Sequence, residues 1–366
     1  MIMSNLIYFF VFLYTCIMMY LQTECIDNVT IKYDYREIKK GFLYKTLSFM
    51  VVFAPIICVY GFRYDVGVDY LSYYEVYNSM NGKFLSDFLQ YFMEPGYMLI
   101  NYICQFLHLE ACWVFLICGL IIFACFYQII QYYGKKMNAG IAMFIFFAVL
   151  FGLSCNIMRQ AVALAIVCTG IKYIEDKKIW NYLLTVFLTM MFHKSAIVCI
   201  LFYWIYRWKG WWKIFCIASI FFMPIVGALV LKLLSQFSWY GGYISQVWGG
   251  SGYTYLLYMI PTVLMIEVLN FESQKKYEKL TNLYYFTIPM QALGTFNAVV
   301  ERMGCYSMAI QVMVVPLMLR QISNTKKRQI YTMIIILWYL IYFIVMNVIL
   351  AGNDIYPYQW YWNQVS

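Results

Sequence analysis

Apolar runs of roughly 17–25 residues, separated by short polar or charged stretches, recur along the whole chain, and that length crosses ~30 Å of hydrocarbon as a helix. The pattern predicts spans near 2–21, 42–61, 111–132, 139–155, 157–174, 179–192, 195–207, 213–234, 253–270, 281–299, 303–319 and 330–350. The fold class expected is all-α: a polytopic integral membrane protein of about 12 transmembrane helices, forming a single domain over 1–366. The first run, about Ile2 to Leu21, lacks the basic start and small-residue cleavage site of a signal peptide, so it is expected to remain as a span.

Two places break the pattern. Pro95 to Leu109 is apolar but only ~15 residues long, short of a full crossing. It is read as a short re-entrant or interfacial helix beside an outer loop at 62–94. Trp180 to Tyr206 is too long for one span and carries His193-Lys194-Ser195 in its middle. Two helices of ~14 residues rise only ~21 Å each, so the turn between them is expected below the membrane surface. A His–Lys pair recessed there is costly unless it faces a wet cavity. A second outer loop, 235–252, is expected where glycines and aromatics cluster.

Composition narrows the class. With 64% hydrophobic and 12% charged residues, a soluble domain is excluded. The net charge of +9 is better explained by loop bias than by nucleic acid, because no basic stretch interleaves with polar sequence. Lys and Arg gather on alternate loops: Lys32–Lys45, Lys135–Lys136, Lys172–Lys178, Arg207–Lys213, Lys275–Lys279 and Arg320–Arg328. These loops are expected to be cytoplasmic, with both termini outside. All but six of the 26 cations follow this rule; the exceptions are Arg63, Lys83, Arg159, Lys194, Lys232 and Arg302. The twelve Cys show no metal-ligand spacing and read as small buried hydrophobes. With only His108 and His193 present, no metal site and no cofactor are expected.

The exceptional cations mark the candidate chemistry. Arg63-Tyr-Asp-Val-Gly-Val-Asp-Tyr70 stands where the second span leaves the membrane. Its Arg63 suits a phosphate, and Asp69 suits a sugar hydroxyl or a proton; a salt-bridged loop is the structural alternative. Glu94-Pro-Gly-Tyr97 either starts a helix or holds a carboxylate at a cavity rim. In Asn156-Ile-Met-Arg159-Gln160 the cation either snorkels to headgroups or, with Gln160, binds a pyrophosphate. Phe192-His193-Lys194-Ser195 offers a base beside a cation, and Arg302, after Glu301, is another phosphate clamp or a helix cap. The aromatic tail Tyr356–Trp362 is either a headgroup belt or a sugar-stacking surface.

This ordered series (R-Y-D-V-G-V-D-Y, E-P-G-Y, N-I-M-R-Q, F-H-K-S and E-R-M at 301–303) resembles the EpsG-like branch of the Wzy-type bacterial polysaccharide polymerases, over most of the chain. The resemblance implies a glycosyltransferase of the bacterial cytoplasmic membrane with its active site on the outer side. It would transfer a growing glycan from undecaprenyl diphosphate to an undecaprenyl-diphosphate-linked oligosaccharide repeat unit, without metal. Implied partners are that lipid, the bilayer, and a chain-length regulator and flippase; no nucleic acid is implied. In this reading His193, Asp69 and Glu94 are the catalytic candidates, and Arg63, Arg159, Gln160, Lys194 and Arg302 hold diphosphate or sugar. An O-antigen ligase or a lipid-linked oligosaccharide flippase are the rival readings.

Overall fold

A computed structural model describes residues 2–26, 35–234, 252–295 and 298–364, most of them helical. The helices are α1 (Ile2–Leu21), α2 (Tyr35–Gly61), α3 (Tyr70–Ser79), α4 (Leu85–Gln90), α5 (Pro95–Phe106), α6 (Ala111–Tyr133), α7 (Ala139–Phe146), α8 (Gly152–Asn156) and α9 (Met158–Glu175). They continue as α10 (Ile179–Met190), α11 (Phe202–Ile205), α12 (Trp212–Leu234), α13 (Gly252–Glu272), α14 (Glu278–Tyr285), α15 (Thr287–Gly294), α16 (Ala298–Met308), α17 (Gln311–Gln321) and α18 (Thr325–Ile344). A π turn, Phe147–Phe151, joins α7 to α8, and a 3-10 helix, Lys194–Leu201, precedes α11. No β-strand occurs among the described residues. The expected outer loop 235–252 lies outside them apart from its last residue.

Six helices among the described residues are long and apolar enough to cross a membrane: Leu6–Glu24, Tyr44–Gly61, Ala111–Lys136, Ala139–Asn156, Glu301–Gln321 and Thr325–Ile349. The chain is thus an all-α membrane protein, but this measure does not support the expected count of about twelve. The physical reason is length and interruption. Segments 179–192 and 195–207 are the short arms of one hairpin, and 281–299 is broken into α14 and α15. The hairpin closes through Tyr182 Oη, which donates to the Cys199 carbonyl at 2.6 Å, and Tyr203 Oη, which donates to the Lys177 carbonyl at 3.3 Å. Its first arm, α10, rises only ~18 Å, against ~27 Å for the neighbouring α9. The His193 turn is therefore carried into the bundle instead of across it.

Helix α5 is also too short to cross. Pro95 occupies its first turn, where the missing N–H costs nothing, and Glu94 precedes it. Its far end stays near the 62–94 segment: Gln105 donates to the Tyr77 carbonyl at 2.8 Å, and Tyr77 Oη donates to the Leu109 carbonyl. That segment is itself structured, as α3 and α4.

The bundle has two unlike ends. At one, the basic loops meet acids and each other: Arg320 pairs with Glu24 and donates to the Lys135 carbonyl, Lys327 pairs with Glu272, and Lys276 bonds Gln321. Tyr132 and Tyr133 bond Glu175 there, and Arg207 donates to the Ile174 carbonyl. Among the described residues, these basic loops thus gather at one end of the bundle. The opposite end carries Arg63, Glu94, Arg159, His193 and Arg302.

Close approach of helices sets the geometry between them. A Cβ on Gly61 would come within 2.6 Å of Leu116, and one on Gly119 within 2.6 Å of Tyr60, so α2 and α6 pack nearly backbone to backbone. The C-terminal tail then returns over α2. Tyr64 N–H donates to the Gln359 carbonyl at 2.9 Å, Tyr361 N–H to Phe62 at 2.8 Å, and Gly67 N–H to Asp354 at 2.8 Å. Most tail aromatics are used in this closure. Tyr356 and Tyr358 pack edge-on against Tyr8, while Trp362 stacks on Trp360 and stays exposed.

Arg63 sits inside this closure, 1% exposed. Its guanidinium donates to the Tyr60 carbonyl, to Val66 at 3.2 Å and to Cys155 at 3.4 Å, and lies over the Tyr60 and Phe115 rings at 4.2 and 4.8 Å. Arg63→Ala is expected to destabilise the protein by about 2–4 kcal/mol, because several buried carbonyls lose donors at once. Arg63→Lys is expected to rescue little, since a point ammonium cannot reach three carbonyls in a plane. Thermal unfolding of the purified variants checks both.

Candidate functional site

Four distant stretches of sequence meet around Glu94. The carboxylate is buried, with its side chain 7% exposed. One oxygen pairs with the Arg159 guanidinium at the start of α9. The other accepts from the Lys194 N–H at 3.2 Å and lies 3.6 Å from His193 Nδ1. The contact depends on Gly96, whose N–H donates to the Met191 carbonyl at 2.7 Å. A Cβ there would come within 2.7 Å of that same oxygen, so only glycine lets α5 dock on the hairpin turn.

The hairpin turn is fixed from a second side. Ser195 Oγ lies 3.1 Å from Tyr306 Oη on α16 and 3.4 Å from His193 Nδ1. The Nδ1 edge of His193 therefore faces inward to Glu94 and Ser195, leaving the Nε2 edge for a ligand. His193 belongs to neither helical arm. Burial lowers its pKa below the ordinary imidazole value; Glu94 opposes the shift, and the charges of Arg159 and Arg302 add to it. The ring is accordingly neutral at pH 7.

Arg159 also faces the rings of Tyr73 and Tyr97, each centred 5.9 Å away, and its Nε is buried without a hydrogen-bond partner. Gln160, 1% exposed, donates to the Arg302 carbonyl at 2.5 Å, and Gln291 donates to the Glu301 carbonyl at 3.4 Å. These amides position the start of α16. The Arg302 and Lys194 side chains are exposed, and neither forms an ion pair among the described residues. Arg302 is thus near enough to act on the His193 ring, and Lys194 follows His193 in the chain with its side chain exposed.

Of the residues singled out in the sequence, Glu94, Arg159, Gln160, His193, Lys194 and Arg302 are brought together. Asp69 stands just before α3, one turn ahead of Tyr73, and so borders the group through that ring. Arg63 does not join. It lies behind the α8–α9 junction, near Met158 Sδ at 3.9 Å, with its donors turned to carbonyls. Sequence reading missed Tyr73, Tyr306 and Gln291. The first two are single aromatics among 37 tyrosines, and nothing local distinguishes them.

The EpsG family model matches residues 46–360, which includes every one of these positions. The chain belongs to the EpsG family. It is therefore a polysaccharide polymerase-like membrane protein, in keeping with the resemblance read from the five motifs. No curated protein and no solved structure matches the chain.

Proposed function

We propose that this EpsG-family protein is a polysaccharide polymerase that moves a growing glycan from undecaprenyl diphosphate onto a lipid-linked repeat unit at the outer face of the bacterial cytoplasmic membrane. What supports the reading is that Arg302 and Lys194, exposed and without ion pairs among the described residues, lie near the half-buried His193 at the end opposite the described basic loops. Positive-inside bias assigns those loops to the cytoplasm and the site to the outer side.

The chemistry follows from the arrangement. The acceptor hydroxyl attacks the anomeric carbon, the bond from that carbon to the diphosphate oxygen breaks, and His193 Nε2 takes the hydroxyl proton. For Nε2 to take the proton, the ring is in the tautomer with its hydrogen on Nδ1, 3.6 Å from a Glu94 oxygen, in place of the one whose Nδ1 accepts from the Ser195 N–H at 3.5 Å. Negative charge grows on the departing diphosphate, where Arg302 and Lys194 stabilise it without reorganising. A single displacement of this kind inverts the anomeric centre. Glu94 and Arg159 act as positioning residues that lock the turn, and Asp69 is assigned to sugar hydroxyls near Tyr73. The positively charged groups of the protein itself serve the leaving group, so the reading needs no metal.

The test is the size distribution of lipid-linked and mature glycans in a deletion strain. Single repeats accumulating on the lipid, with long chains absent, are expected. Long chains persisting on the carrier but missing from their final acceptor would make the protein a ligase. Repeats trapped on the cytoplasmic leaflet would make it a flippase.

A further inference from the structure

Two interrupted helices come together around one cavity in the C-terminal part of the chain. Helices α14 and α15 are separated by a break at Phe286, and the span Glu301–Gln321 is interrupted at Ala309–Ile310, between α16 and α17. Gln311 follows the second break and donates to the Met308 carbonyl at 2.9 Å. It stands midway along that span, so the interruption lies near the middle of the hydrocarbon.

The cavity, of about 10 Å³, lies between α13, α14, α15, α16, α17 and α18. Tyr258, Thr262, Tyr284, Gln291, Gln311 and Tyr342 bring hydroxyls and amides to it, and no charged side chain lines it. Two of these groups already have partners. Gln311 Oε1 accepts from Tyr339 Oη at 2.8 Å, and Thr262 Oγ1 accepts from Trp338 Nε1 at 2.9 Å. Gln291 is only half satisfied. Its Nε2 donates to the Glu301 carbonyl at 3.4 Å, so Oε1, on the other arm of the amide, turns away from that carbonyl. This oxygen is buried without a hydrogen-bond partner among the described residues, on a side chain that lines the cavity and belongs to a residue 2% exposed.

A bare carboxamide oxygen is costly at this depth, because bulk solvent does not reach it. Interrupted membrane helices are tolerated where neighbouring side chains and ordered water replace the lost partners. The cavity has room for about one water molecule, and its lining offers the two to four polar contacts that a buried water needs. We infer that a single structural water occupies it, donating to Gln291 Oε1 and bonded on its other side to groups of α13 and α17. A cation does not suit the lining, which holds no charge to balance it. The water joins the two interrupted helices at mid-membrane. Through the Gln291 amide it braces the Glu301 carbonyl, at the turn that carries Arg302. The inference does not depend on the reaction proposed above.

The test uses the full-length protein in nanodiscs. A cryo-EM map fine enough to show ordered water is expected to place one peak about 3 Å from Gln291 Oε1. X-ray radiolysis, which oxidises side chains beside ordered water, gives an independent reading. Met308, at the cavity, is expected to be modified, and Met313, also buried but not lining it, to be spared. Gln291→Met keeps the volume and removes the acceptor, and is expected to lower Met308 modification about tenfold. An empty cavity in the wild-type map, or Met308 as inert as Met313, would overturn the inference, and neither result needs a variant to fold. A peak with oxygen contacts as short as those of a metal ion would also overturn it.

Discussion

His193→Ala is expected to lower polymer formation by about a hundredfold or more at unchanged protein level, the usual contribution of a positioned general base. The purified protein, given lipid-linked repeats in nanodiscs, provides the measurement. His193→Asn is expected to be as slow, because an amide can hydrogen-bond to Glu94 but cannot accept the proton. The pH profile separates a base from a structural ring. The neutral ring is the working form, and burial lowers its pKa, so the rate should be full at pH 7. It should be lost as pH falls through a midpoint below the free imidazole value of about 6.5. In His193→Ala the residual rate should lack that acid limb. A variant with wild-type output, or an acid limb surviving in it, would remove His193 from the chemistry.

The second large effect concerns Glu94 and Arg159. Removing Glu94 strands a guanidinium whose side chain is 22% exposed and whose Nε already lacks a partner. Glu94→Ala is expected to cost on the order of 3 kcal/mol, the low end for a broken buried pair because Arg159 keeps some solvent contact. The hairpin turn also loses the acceptor for the Lys194 N–H. The double variant Glu94→Gln, Arg159→Met is expected to recover much of the stability, since a neutral pair of similar volume leaves no bare charge. It should recover little of the activity, because an amide with no guanidinium to anchor it no longer fixes the His193 ring as the carboxylate does. Thermal unfolding and polymer assays on the two singles and the double close the cycle. Additive stability losses, or an active double variant, would end the positioning role.

The site was legible as residue types and not as a constellation. Cations on the loops opposite the basic ones violate the bias that sets orientation, so Arg159, Lys194 and Arg302 stood out without any fold. The same rule flagged Arg63 and could not tell it apart. Its donors face the Tyr60, Val66 and Cys155 carbonyls, and the backbone around it is bridged to Trp360, almost three hundred residues further on. No local pattern carries that information.

The sequence alone determined the membrane class and the two short helical excursions at Pro95 and His193. Each follows from hydropathy length and charge counted over neighbouring residues, which are local quantities. Only the tertiary structure decided that a carboxylate at 94 would meet an arginine at 159 and a turn at 193, and that Tyr306 would bind Ser195. Those meetings depend on where helices dock. Docking is set here by single glycines, such as Gly96 beneath the Met191 carbonyl, whose role appears only once two backbones touch. The number of crossings was misjudged for a related reason: apolar length is shared by a helix that spans and by a hairpin arm that turns back inside the bundle.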